Sequence, residues 1–304
     1  QGRDILFDQN GKYNLIIRKM LEVVYTDYQG DRSDANFKNF ETYLKRVWFS
    51  NGIHHHYAAD KFVPGFTLEF FKSALESVDA SKLPLMEGET LDALCKEVFP
   101  VIFDAKVMAK RVNQADGEDL VLTSASNYYE GVTQKEAEDF YAKMKNPNDA
   151  QPIMFGMNSR LVKENGKVQE KVWKVGGLYT EAIERIVYWL EKAKNVAEND
   201  QQKAVIEKLI QFYHDGDLKT FDAYAIEWVK DLDSRIDFVN CFTESYGDPL
   251  GMKASWESIV NFKDMEATKR TEAISANAQW FETNSPVEDR FKKENVKGVT
   301  AKVI

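Results

Sequence analysis

Thr243-Glu244-Ser245-Tyr246-Gly247-Asp248-Pro249-Leu250-Gly251 is the stretch on which the reading of this chain turns. The residues leading into it, Val239 to Tyr246, alternate with the period of an extended segment, so Asn240, Phe242, Glu244 and Tyr246 are expected on one face. A carboxylate and a phenol on one face can hold a cation and donate a hydrogen bond to an oxygen that is gaining negative charge. The same spacing also fits a plain strand end whose glutamate is solvated and whose tyrosine packs. Gly247-Asp248-Pro249 and Gly251 mark the tight turn that closes the segment.

Working outward, the flanks are helical. Ile183, Ile186, Val187 and Leu190 share one helical face, Val205, Leu209 and Ile210 a second, and Phe221, Tyr224, Ala225 and Trp228 a third. No fixed-period repeat relates these segments, which makes an irregular helical lobe the better description. After the turn the spacing predicts another helix from about Ala254 to Phe281. Ser285-Pro286-Val287-Glu288 predicts the capped start of a short one, and an alternating strand follows from Val296 to Ile304. Towards the N-terminus, Leu15 to Val24 and Phe37 to Trp48 read as two amphipathic helices, with two more over 67–78 and 90–112.

Between the helical blocks the period changes. Leu120 to Tyr129 is rich in strand-type residues, and Thr133-Gln134-Lys135-Glu136 is a capping box that starts a helix reaching about Lys145. Asn165-Gly166 is the favoured pair for a type I′ turn, because both central residues need positive φ. It predicts a hairpin over 157–175 in which Glu164 faces Lys167. Gly176-Gly177 is a loop, with nothing around it that makes a phosphate-binding motif.

Composition excludes several functions. The chain has 304 residues, 43% of them hydrophobic, and its formal net charge is -9. No apolar run approaches the roughly 20 residues of a membrane helix. The acidic balance argues against a nucleic-acid partner, whose binders present a basic face. Cys95 and Cys241 lie too far apart for a metal knuckle and read as buried thiols, which suits a reducing, cytoplasmic setting. His54-His55-His56 invites a metal reading that geometry disfavours, since adjacent side chains diverge on helix or strand. A loop lining a cleft, with the histidines and Tyr57 as polar-tipped walls, is the stronger alternative. Both ends read as cut, with no initiator Met and an edge strand left without a partner, so the chain is expected to be part of a longer protein.

These residues add up to a resemblance. Lys61-Phe62-Val63-Pro64, Tyr128-Tyr129-Glu130, Asn158-Ser159-Arg160-Leu161, the Tyr-rich helices with Trp228, and above all Glu244-Ser245-Tyr246-Gly247-Asp248-Pro249-Leu250-Gly251 with Glu257 resemble the first half of the dipeptidyl peptidase III family. The resemblance implies an α+β, predominantly helical fold, with a lower lobe that carries a β-barrel and the first helices of a helical upper lobe. Residues 1–256 would form the lower lobe, 257–290 the start of the upper, and 291–304 a strand returning to the barrel. It implies a monomeric zinc exopeptidase that releases dipeptides from short peptides with a free N-terminus. Tyr246 would be catalytic, meeting the oxyanion, Glu244 would grip the α-ammonium, and Glu257, Phe62 and Tyr57 would contact substrate.

The family's His-Glu-x-x-Gly-His zinc helix has no counterpart here, for the histidines are His54, His55, His56 and His214 alone. The chain by itself is therefore expected to hold no zinc and to be inactive. A peptide-binding module without chemistry and a purely structural helical scaffold are the alternatives.

Overall fold

In the computed structural model, which describes residues 2–296, the chain opens with α1 (Gly2–Asn10), α2 (Asn14–Asp27) and α3 (Ala35–Ser50). α4 (Leu68–Glu76) and α5 (Leu91–Phe103) follow. Their starts are written into the sequence: Asp34, Thr67 and Thr90 each accept a backbone N–H from the first turn that follows. The faces they turn inward make an aromatic core of Phe37, Phe40, Tyr43, Phe66, Phe71 and Phe99. Each such side chain removes on the order of 150–250 Å² from water, which holds these helices together.

α5 stops at Phe103, nine residues short of the expected end, because the chain supplies a tertiary stop. The Lys61 ammonium donates to the carbonyls of Val101, Asp104 and Val107, taking acceptors that a continuing helix would need. The expected strand over 120–129 is mostly a turn as well. The Asp119 carboxylate accepts the N–H groups of Val121 at 3.0 Å and Leu122 at 2.9 Å, and only β1 (Tyr129–Glu130) is extended.

α6 (Gln134–Ala142) begins with the full capping box of Thr133 and Glu136. The hairpin also stands as read. β2 (Ser159–Glu164) and β3 (Lys167–Val172) pair antiparallel with Glu164 opposite Lys167, and Asn165 and Gly166 take φ of 50° and 77°. β1 adds in parallel beside β2, so the sheet order is β1-β2-β3.

α7 (Thr180–Lys194), α8 (Asp200–Asp215) and α9 (Leu218–Lys230) form the expected helical block. It packs on an antiparallel ribbon of β4 (Ile236–Glu244) and β5 (Ser255–Phe262). Trp173, Tyr213, Phe242 and Cys241 are buried in this second core. α1 joins the two cores, with Phe7 in the first and Ile5 in the second.

β5 corrects the helix expected from Ala254: the stretch Trp256 to Phe262 pairs with β4, and helix starts only at α10 (Met265–Ala276), where Asp264 accepts the N–H groups of Glu266 and Ala267. A strand partner outweighs local helical spacing, because ladder bonds and cross-strand packing are gained together. α11 (Ala278–Asn284) follows, and the short helix expected at Ser285 is instead a 3₁₀ turn over Asp289–Phe291.

The class is α+β. Among the described residues the strands form a three-stranded sheet and a two-stranded ribbon, and no closed barrel. The strand expected over 296–304 lies, but for Val296, outside the described residues. Among the described residues no helix is long and apolar enough to cross a membrane.

Candidate functional site

Glu244 is the last residue of β4, and the face expected to carry Asn240, Phe242, Glu244 and Tyr246 is broken just before it. The register slips between Phe242 and Glu244, so Thr243 is a bulge. Phe242 remains fully buried while Glu244 turns out to solvent. The bulged Thr243 spends its hydroxyl on Glu257 across the ribbon, Oγ1 to Oε2 2.8 Å. Ser255, paired with Glu244, donates its hydroxyl to the Glu244 carbonyl at 3.1 Å.

The turn after Glu244 is built around Asp248, which is only 2% exposed. Its carboxylate accepts the N–H groups of Leu250 (3.2 Å), Met252 (2.8 Å) and Lys253 (2.8 Å) and the Tyr129 hydroxyl (2.9 Å). Burial nevertheless raises its pKa, with those hydrogen bonds pulling the other way. Gly251, at φ 64°, completes the turn in a conformation that disfavours a side chain. Lys253 then plunges into the protein: its ammonium donates to the Tyr141 hydroxyl at 2.6 Å and to the Gly156 carbonyl and Ser159 hydroxyl, both at 3.2 Å. The segment carrying Tyr246 is thus fastened at both ends, by the β4–β5 ladder and by this buried anchor.

The opposite wall comes from the first third of the chain. Gln9 of α1 clamps the start of β5, its side chain donating to the Ala254 carbonyl (3.1 Å) and accepting from the Trp256 N–H (2.8 Å). Asn10 donates to the Asn51 carbonyl at 3.1 Å and accepts from Arg111 at 3.3 Å. The second Arg111 terminal nitrogen donates to the His56 carbonyl at 3.0 Å.

These walls enclose a cavity of about 190 Å³ lined by Glu244, Tyr246, Glu257, Arg111, Asn10 and His56 among others. Arg111 is 7% exposed, and among the described residues its side-chain partners are the Asn10 amide oxygen and the His56 carbonyl, with no carboxylate. Burial accordingly lowers its pKa. The Tyr246 phenol is raised, first by partial burial and then by the Glu244 charge, while Arg111 opposes the shift. The cavity therefore offers two carboxylates to a cation, a neutral phenol as donor, and a buried guanidinium behind it.

Of the residues singled out from sequence, Glu244, Tyr246 and Glu257 meet in this cavity. Phe62 does not. It lines a neighbouring cavity of about 570 Å³ with His55, His56 and Arg46. Tyr57 lines neither cavity: it is 82% exposed, its ring 4.4 Å from that of His56. His54 is a core residue, its Nε2 donating to the Met108 carbonyl at 2.7 Å, and burial holds its pKa down to about 4. Arg111, Gln9, Asn10 and Asn51 were not foreseen. Asn10-Gly11 and Asn51-Gly52 are turn signals that end α1 and α3, but Arg111 has nothing in its neighbourhood to distinguish it from a surface cation. Among the described residues no group of three or more His, Cys, Asp or Glu side chains could hold a metal ion.

The sequence model of peptidase family M49 matches residues 104–298. Dipeptidyl peptidase 3 of Dictyostelium discoideum is 27% identical over 120 residues, which is 40% of this chain and 17% of the relative. Dipeptidyl peptidase 3 of Nematostella vectensis is 19% identical over 291 residues, 86% of this chain and 39% of the relative. The solved structure of DPP III from Caldithrix abyssi shares the fold with a TM-score of 0.62 at 17% identity, over 97% of this chain and 43% of that one. The chain thus spans less than half the length of these relatives.

Proposed function

Because this chain belongs to peptidase family M49, the dipeptidyl peptidase III family, we propose that it is the part of a zinc-dependent dipeptidyl peptidase that receives the amino end of a short peptide. The observation that carries this reading is the convergence of Glu244, Tyr246 and Glu257 on one cavity. In it Glu244 takes the α-ammonium, which fixes how far the peptide enters and so which bond is presented for cleavage. Tyr246, a phenol that is protonated at physiological pH, donates to the scissile carbonyl as that oxygen becomes an oxyanion, an interaction at full strength only in the transition state. Glu257, held by Thr243, adds negative charge to the ammonium's surroundings. Tyr57 and Phe62 bound the approach from the side of α3.

The metal that the family implies does not fit the described residues, which offer no convergent ligand set. Zinc and its chemistry therefore belong to parts of the enzyme other than those described, and the chain on its own is proposed to be inactive. The β1-β2-β3 sheet and the β4–β5 ribbon are proposed as portions of a lower-lobe barrel, with residues 1–256 as that lobe, 257–290 as the entry to a helical upper lobe and 291–304 as a returning strand. A cytoplasmic monomer acting on peptides completes the proposal.

Steady-state kinetics of the complete enzyme test it. Glu244→Gln removes a charge-assisted contact of about 1.5–3 kcal/mol and should raise KM with little change in kcat. Tyr246→Phe keeps the ring and deletes the donor, and should lower kcat by about 10²- to 10³-fold with KM nearly constant. A Tyr246→Phe enzyme with normal kcat would remove the catalytic assignment.

A further inference from the structure

The geometry points to a second subsite: the cavity between the outer side of α3 and the 55–62 loop receives an acidic side chain, that of the peptide's first residue. This deepens the reading above and rests on Glu244 as the ammonium anchor. The two cavities are contiguous, since Ser50 and His56 line both. The ammonium and the side chain of a first residue leave the same carbon atom, so a peptide seated on Glu244 can extend its side chain past His56 into the larger space of about 570 Å³.

What lines that space selects for negative charge. Lys45 and Arg46 contribute, and no carboxylate does, in a chain with 49 acidic and 40 basic residues. Lys45 pairs at 3.1 Å with Glu41, which is not part of the lining. Arg46 has no carboxylate partner among the described residues, and its guanidinium lies over the Phe62 ring, 6.0 Å from the centroid. His55 accepts the N–H groups of Tyr57 (3.2 Å) and Ala58 (3.1 Å) at Nδ1, so in the neutral ring the proton sits on Nε2, for which no acceptor is present among the described residues. The walls between these donors are rings already packed on one another. His55 stacks on His56 with centroids 4.7 Å apart, and Phe49 meets His56 edge-on at 5.0 Å. A carboxylate entering here meets one free guanidinium, one shared ammonium and one imidazole N–H, with little side-chain ordering left to complete.

Calorimetric titration of the complete enzyme, freed of metal so that the peptides stay intact, with C-terminally amidated Glu-Ala-Ala, Gln-Ala-Ala and Lys-Ala-Ala at low salt tests this. The expected order is Glu, then Gln, then Lys, with Glu about two- to fivefold tighter than Gln, the range of a solvent-exposed ion pair. Arg46→Gln, on the exposed side of α3, should abolish the Glu-over-Gln difference, and raising the salt concentration should shrink it. Equal affinity for Glu-Ala-Ala and Gln-Ala-Ala, or a difference untouched by Arg46→Gln, overturns the subsite. Glu244→Gln separates the two readings. If it weakens all three peptides while Glu and Gln bind alike, the anchor stands and the subsite falls; if it changes nothing while the Glu preference persists, the anchor falls and the subsite stands. No binding by any of the three overturns both.

Discussion

Lys253 is fully buried, and replacing it by methionine tests how the turn behind Tyr246 is held. Its ammonium lies among the Tyr141 hydroxyl, the Ser159 hydroxyl and the Gly156 carbonyl, and over the rings of Tyr129 and Tyr141 at 5.4 and 4.8 Å. Burial pushes its pKa down from 10.5 to about 8, although the charges of Glu170 and Asp248 pull upward. Below pH 8 both folded and unfolded chains hold the proton. Between about pH 8 and 10.5 the unfolded chain holds it and the folded one does not, so stability rises with pH across that window. At about 1.36 kcal/mol per pKa unit the full rise is on the order of 3 kcal/mol, of which about 2 falls between pH 7.5 and 9.5.

Buried tyrosines oppose it at higher pH. Tyr128, Tyr129, Tyr141 and Tyr213 are all raised, so above about pH 10 the unfolded chain loses phenolic protons that the folded one keeps, and stability falls. Comparison with Lys253→Met cancels that contribution. Urea denaturation followed by far-UV circular dichroism, at pH 7.5 and 9.5 on both proteins, should show the wild type gaining about 2 kcal/mol on the variant over the interval. Parallel pH dependences would refute a depressed, buried ammonium at this position.

Arg111→Met leaves the His56 carbonyl and the Asn10 side-chain oxygen without their donor and should cost about 2–3 kcal/mol in the same denaturation assay. It should also move the titration of Tyr246, followed by ¹³Cζ-tyrosine NMR, to higher pH, because the guanidinium favours the ionised phenol; Arg111→Lys should move it less. The two thiols should be inert in the folded protein. Burial pushes Cys95 up to about 11 and Cys241 higher still, so an aromatic disulfide reagent at pH 8 should label neither until guanidinium chloride unfolds the chain; rapid labelling of Cys241 would contradict its place in the second core.

What the sequence determined by itself is local. Asn165-Gly166 sets its own turn because a type I′ geometry admits few residues, and Thr133 with Glu136 starts α6 because both bonds close within one turn. The helical faces of α2, α3, α7, α8 and α9 follow from apolar spacing, since each face is buried whatever partner covers it. Glu244 and Tyr246 could be singled out because they stand in one short motif beside a legible turn, whereas Glu257, on the strand that follows, came only with the family resemblance.

What only the tertiary structure decided depends on partners distant along the chain. Lys61 ends α5 by taking its last carbonyls, and β4 turns residues 255–262 into strand against their helical spacing. Arg111 enters the candidate site through bonds to Asn10 and His56, 101 and 55 residues away. An arginine in sequence carries no mark of whether water or protein will surround it, and its burial is a property of the packing of α1, the loop after α3 and the turn behind Tyr246, none of which is encoded near position 111.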